Sequence, residues 1–218
     1  EHLKGVVRKW GVNEERIEVI YNGTKIIKDT KRKTSKNIRL ISVGRLAPWK
    51  NIDVIIDSIH KLNKIEANNY ILTLVGDGPI RQDLEKLIKE KGLEEFVNIT
   101  GQVSADKVSL YLNDADVFIS IPTSDSSPKS VYEAMACKTP CVVSDISWTE
   151  NFIHHEQQAL IVPWKNEKKI ADSIIKILDN KKLSRDISRA GKKFVLENID
   201  YHKNMAHMEQ IMMKQING

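Results

Sequence analysis

Nowhere does this 218-residue sequence stay apolar for the roughly 20 residues that a bilayer-spanning helix needs, so it offers neither a transmembrane nor a signal-peptide pattern. Cysteine is nearly absent. Cys137 and Cys141 flank a Lys-Thr-Pro turn beside apolar residues, which predicts buried thiols in a reducing compartment rather than a bridge, with the cytoplasm as the place of work. Metal-ligand spacing is missing too. His154 and His155 are adjacent and His202 and His207 are five apart, so no pair has the i, i+4 helical spacing and no metal site is expected. The tryptophans, Trp10, Trp49, Trp148 and Trp164, are scattered and form no stacking platform. Charge of one sign does not dominate either: 34 basic residues face 29 acidic ones for a net of +5, and no nucleic-acid motif accompanies them. Nucleic acid is therefore not an expected partner. A weak attraction to anionic lipid at the inner face of a membrane stays open.

What is present is a rhythm. From residue 38 short apolar runs alternate with helical patterns. Ile38 to Val43 reads as a strand ending at Gly44, and Ile52, Ile55, Ile56, Ile59 and Leu62 then recur at helical spacing. The pattern continues through strand Tyr70–Val75, a helix with Leu84, Leu87 and Ile88, strand Val97–Thr100, helix Ala105–Asn113, strand Val117–Ser120, helix Lys129–Cys137, strand Cys141–Ser144 and strand Ala159–Val162. This predicts a doubly wound α/β fold, a mainly parallel Rossmann-like sheet with helices on both faces and ligand sites at the carboxyl ends of its strands. The ends differ. Residues 1–16 read as the tail of a helix, Arg16 to Ile20 as a lone strand, and Lys28 to Lys36 as a lysine-rich linker. Helices over 167–179, 181–197 and from Tyr201 end the chain, the last with Met205, Met208, Ile211 and Met212 on one face.

Two loops carry candidate chemistry. Gly44-Arg45-Leu46-Ala47-Pro48-Trp49-Lys50 joins the first core strand to its helix, where a helix N-terminus and two cations could grip a diphosphate. Arg45 and Lys50 read equally well as solvated loop charges. In the second stretch, Ser124 to Ala136, a polar loop with Asp125 and Ser127 enters a helix through Pro128, Lys129 and Ser130, whose first turn can present N–H groups to an oxyanion. Glu133, one turn on, could accept hydrogen bonds from paired hydroxyls such as those of a ribose, or could simply be an exposed helix residue. Asp125 could be a sugar ligand or a loop acid that favours the helix dipole.

In order, Ile20-Tyr21-Asn22-Gly23, Val43-Gly44-Arg45-Leu46 with Lys50, Val75-Gly76-Asp77-Gly78-Pro79, Thr100-Gly101-Gln102-Val103, and Asp125 with Glu133-Ala134-Met135-Ala136 resemble the C-terminal half of family 4 glycosyltransferases. The resemblance runs through most of the chain and implies one half of a GT-B fold that binds a nucleotide-diphosphate sugar and transfers the sugar with retention, without a cofactor. It assigns Arg45, Lys50 and Asp125 to catalysis and Gly44, Gly101, Gln102, Val103, Ser127, Pro128, Lys129, Ser130 and Glu133 to the donor. It also implies residues 1–36 as a remnant of a preceding domain with hinge and linker, 37–198 as the donor domain, and 199–218 as a crossover helix. The acceptor domain would then be missing, with little transfer expected from the chain alone. Two positions depart from the family pattern. Asp125 stands where Glu is usual, and Lys138 where Gly is usual, a site that in a left-handed conformation costs a non-glycine roughly 1 kcal/mol. The rival readings are a non-catalytic nucleotide-binding or scaffold module, and another GT-B enzyme such as a nucleotide-sugar epimerase.

Overall fold

The computed structural model describes residues 2–24, 35–65, 70–125, 128–146 and 153–217. Strands β1 (Ile38–Val43), β2 (Tyr70–Val75), β3 (Val97–Gly101), β4 (Val117–Ser120), β5 (Cys141–Ser144) and β6 (Leu160–Val162) form one parallel sheet in the order β3-β2-β1-β4-β5-β6. The sheet turns at β1. From there the chain runs out to β3, then returns to β4 on the other side of β1, so a crevice opens where the loops after β1 and β4 diverge.

Alternation along each strand sends its side chains into two cores. Leu40, Leu72, Leu74, Val117, Ile119, Val142 and Leu160 face one layer, in which helices α2 (Ile52–Ile65), α3 (Arg81–Glu90) and α6 (Glu167–Asp179) bury Ile55, Ile56, Ile59, Leu84, Ile170 and Ile174. Ile41, Val75, Phe118, Cys141 and Val143 face the other, covered by α4 (Ala105–Asp114), α5 (Lys129–Ala136) and the second half of α7 (Lys181–Asn198). Strands apolar on both faces are what a parallel sheet between two helix layers requires. Helix α7 joins the layers: Ile187 belongs to the first core and Val195 to the second. Its Gly191 lies so close to α5 that a Cβ there would sit 3.1 Å from Met135 Cγ.

The amino-terminal segment departs from expectation. Helix α1 covers only His2–Lys9, and the strand expected over Arg16 to Ile20 does not form. The Asn13 side chain instead accepts a hydrogen bond from Glu15 N and starts a 3-10 turn, Glu14–Arg16, which Ile17 N closes on Glu14 O. Among the described residues no neighbouring strand is in place to pair with this segment. Its chain continues into Tyr21 to Thr24, which is joined to the start of α8 (Tyr201–Asn217). Thr24 N donates to Ile199 O at 2.8 Å, Tyr201 N donates to Thr24 O at 3.2 Å, and Asn204 Nδ2 donates to Tyr21 O at 2.9 Å. The exposed methionines of α8, Met208, Met212 and Met213, leave its apolar face largely uncovered within this chain. Most of the lysine-rich linker and Trp148 lie outside the described residues. Among the described residues no helix is long and apolar enough to cross a membrane. Both cysteines are buried and unbridged, and burial pushes the Cys141 thiol far up.

Candidate functional site at the carboxyl edge of the sheet

The loops that follow β1, β2 and β3 are joined through backbone. Gly44 N donates to Val75 O at 3.0 Å, Leu46 N to Asp77 O at 2.9 Å, and Gly76 N to Gly101 O at 3.0 Å. Contacts this close leave no room for side chains: a Cβ on Gly76, whose φ is 146°, would lie 1.9 Å from Gly44 O, and one on Gly78 would lie 2.2 Å from Leu46 O. Over these loops opens a cleft of about 420 Å³, with a floor of Val43, Val75, Val103 and Val108 and a rim of Arg45, Asp77 and Gln102. Three of the residues expected at the donor, Gly44, Gln102 and Val103, therefore line one cavity together with Arg45, and Gly101 adjoins it at the end of β3. Its volume and the valines in its lining suit a small ligand with one apolar part.

Asp77 was not singled out from the sequence, although its motif was. It takes a hydrogen bond from Gly78 N at 2.8 Å and one from Arg81 Nη1 at 2.9 Å, and these two donors hold its carboxyl below the ordinary range. Arg81 also reaches Glu85 at 2.7 Å, so the rim of the cleft is held by a three-residue charge chain. The signal available in sequence was the i, i+4 spacing of Asp77, Arg81 and Glu85 across a helix start.

The second part of the site lies in the crevice between β1 and β4. Lys50 Nζ and Asp125 Oδ2 meet at 2.7 Å, 75 residues apart in sequence, with only 21% and 17% of their side chains exposed. The structure thus excludes the reading of Lys50 as a solvated loop charge, and it brings together two of the three residues expected in catalysis. Arg45, the third, is exposed beside the cleft. Three further bonds hold this geometry. Asn51, buried and left-handed with φ 51°, donates through Nδ2 to Ile121 O at 2.6 Å; Thr123 N donates to Trp49 O at 2.9 Å; and Ser144 Oγ donates to Pro122 O at 2.7 Å. Asn51 is a further residue that positions the site. Asparagine directly before a helical run is a recognisable signal, since its side chain tolerates the left-handed region and can bond locally.

Pro128 is the N-cap of helix α5 and its side chain makes no capping bond, so among the described residues the first-turn N–H groups at Lys129 and Ser130 have no capping acceptor. Ser127 lies outside the described residues. Glu133 is not an exposed helix residue: its side chain is 18% exposed, burial raises its carboxyl above the usual range, and Lys129 at 3.6 Å opposes that rise. The adjoining Tyr132 is buried, and its phenol is pushed up to about 12 by burial, then by Tyr21 and Asp125. Lys138, just past α5, takes the left-handed conformation with φ 58°.

Comparison with known proteins agrees with this geometry. The chain is 28% identical over 226 residues to an uncharacterized glycosyltransferase of Methanocaldococcus jannaschii, covering 99% of this chain and 57% of that protein. It is 28% identical over 149 residues to the alpha-monoglucosyldiacylglycerol synthase of Acholeplasma laidlawii, covering 68% of this chain and 37% of that enzyme. It thus spans 57% of the length of the first relative and 37% of the second. Among solved structures, Anabaena HepE in complex with UDP and glucose superposes with a TM-score of 0.81 at 17% identity, over 97% of this chain and 60% of that one. Sucrose-phosphate synthase of Thermosynechococcus elongatus superposes at 0.83 and 21% identity, over 98% and 56%. Identities this low establish a shared fold. The family assignment rests on the sequence profile of glycosyl transferases group 1, which matches residues 23–194 and so takes in both halves of the site, and the chain belongs to that family.

Proposed function

We propose that this chain carries the donor site of a retaining GT-B glycosyltransferase, in which a nucleotide-diphosphate sugar gives its sugar to an acceptor hydroxyl. The observation that carries the reading is the Lys50–Asp125 pair standing beside the glycine-lined cleft, at the point where the sheet changes direction. On this reading the base enters the cleft over Val43, Val75, Val103 and Val108, with Gly101, Gln102 and Val103 at its edge. Glu133 accepts hydrogen bonds from the ribose hydroxyls. The diphosphate lies between Arg45 and Lys50, near the open first turn of α5 at Lys129 and Ser130.

Transfer requires the bond between the sugar and the diphosphate to break, leaving negative charge on the departing phosphate. Arg45 and Lys50 offset that charge as it develops, the role a divalent ion has in other transferases, and the reading assigns the chain no resident cofactor. On this reading Lys50 turns from Asp125 to the phosphate, and the Asp125 oxygen that Lys50 had occupied then accepts from a hydroxyl of the transferred sugar. Binding of the diphosphate and binding of the sugar are thereby linked through one ion pair. HepE is solved with UDP and glucose and other fold neighbours with UDP, so uridine diphosphate is the first nucleotide to try. The test is calorimetric titration with UDP, GDP and ADP on the unaltered chain and on an Arg45→Ala, Lys50→Ala variant. One nucleotide should bind and the variant should lose it. Equal binding by both proteins would place the nucleotide elsewhere and sink the proposal.

A further inference from the structure

Helix α7 carries six basic residues within thirteen positions: Lys181, Lys182, Arg185, Arg189, Lys192 and Lys193. At 100° per residue they fall within about 120° of the helix circumference, along about 18 Å of its length. The opposite side is committed to the interior, where Ile187 and Val195 are fully buried and Gly191 abuts Met135. Within α7 the acids beside this stripe are Asp186 and Glu197, and Glu197 reaches Lys193 at 3.8 Å. Elsewhere on the surface cations commonly meet acids: Lys61 meets Glu167, Arg81 meets Asp77 and Glu85, Lys91 meets Asp57, and Lys176 meets Glu156. Among the described residues Lys181, Lys182, Arg185 and Arg189 have no ion pair.

From this segregation we propose that the exposed face of α7 is a docking surface for an anionic lipid bilayer. Charge complementarity selects the sign of the partner, and shape selects the class. The helix is packed along one side and cannot enter a nucleic-acid groove, and the aromatic nearest the stripe, Phe194, is turned inward against Tyr132 rather than offered to a base. A protein partner would need an apolar anchor among the charges, and the stripe contains only half-buried Leu196. A flat row of flexible cations with no protruding apolar group matches a surface of lipid headgroups, held by electrostatics without insertion. This inference does not depend on the donor-site reading.

The test is co-sedimentation of the whole chain with vesicles of phosphatidylcholine alone and of an equimolar mixture of phosphatidylcholine and phosphatidylglycerol. The chain should bind the mixed vesicles only and should leave them as salt rises. A Lys182→Gln, Arg185→Gln, Arg189→Gln variant, checked for an unchanged thermal melt, should fall to the phosphatidylcholine level, since each charge lost weakens such binding about fivefold. A variant with the same loss of charge elsewhere, Lys64→Gln, Lys89→Gln, Lys168→Gln, should still bind. Four results would overturn the proposal: no preference for the anionic vesicles; equal loss in both variants; binding that survives high salt, which would point to the exposed methionines of α8; or tighter retention by a single-stranded oligonucleotide than by the vesicles.

Discussion

The two halves of the site are built from different materials. Over β1, β2 and β3 the cleft is made of backbone, with loops in such close contact that Gly76 and Gly78 leave no space for a Cβ. Between β1 and β4 the crevice is made of side chains, with Lys50 on Asp125 and Asn51 on Ile121. Backbone construction gives a rigid slot that a substitution either leaves alone or destroys. Side-chain construction gives contacts that can be exchanged for those of a ligand. A site that must hold a nucleotide and also respond to a sugar uses the first for shape and the second for chemistry.

The sharpest way to break this contrast is at Gly76. Gly76→Ala forces a Cβ into Gly44 O in a conformation that L residues avoid, and should cost about 3 kcal/mol or more of stability in urea unfolding, together with any nucleotide binding. An alanine there that folded and bound normally would show that the cleft is softer than its geometry indicates. Next in size is Asn51→Ala, which removes the bond to Ile121 O and leaves a left-handed residue without its favoured side chain; about 2 kcal/mol of stability should be lost, again by urea unfolding. On the exchangeable side, Lys50→Ala should weaken nucleotide binding by about tenfold or more in calorimetry, since a charge-assisted hydrogen bond contributes about 1.5–3 kcal/mol. Its effect on folding should be smaller than that of Gly76→Ala.

Glu133 sharpens the comparison by pH. Its carboxyl titrates above the unfolded value because of burial, so the folded state takes up a proton first, and this group's share of stability falls as pH rises from the unfolded to the folded pKa. Glu133→Gln should therefore give a small gain in stability at neutral pH that disappears in acid, while ribose recognition, which needs the carboxylate, is lost at every pH. The smallest effect belongs to Lys138→Gly, which relieves the left-handed strain and should add up to about 1 kcal/mol of stability in urea unfolding without changing binding.

Much of this was legible in sequence. Short apolar runs and 3.6-period helices located β1 through β6 and the helices between them to within a residue or two, because local pattern and tertiary layer agree there. Arg16 to Ile20 misled because its alternation was that of a strand, while a strand needs a neighbour and none lies beside it among the described residues. The Lys138 strain could be anticipated, since a helix end demands a particular φ whatever residue occupies it. The pairing of Lys50 with Asp125 could not: separation by 75 residues leaves no local trace, and only the return of β4 to the flank of β1 makes the two neighbours. The Asp77–Arg81–Glu85 chain was overlooked because its spacing reads as an ordinary solvated helix face.

Whether Lys50 exchanges Asp125 for a phosphate of the donor is decided by a crystal structure of the chain with UDP bound. The base should lie over Val43 and Val103, with Lys50 Nζ within hydrogen-bonding distance of a diphosphate oxygen and the 2.7 Å contact to Asp125 broken. A nucleotide bound in that cleft with the Lys50–Asp125 pair still intact, or bound elsewhere on the chain, would contradict it.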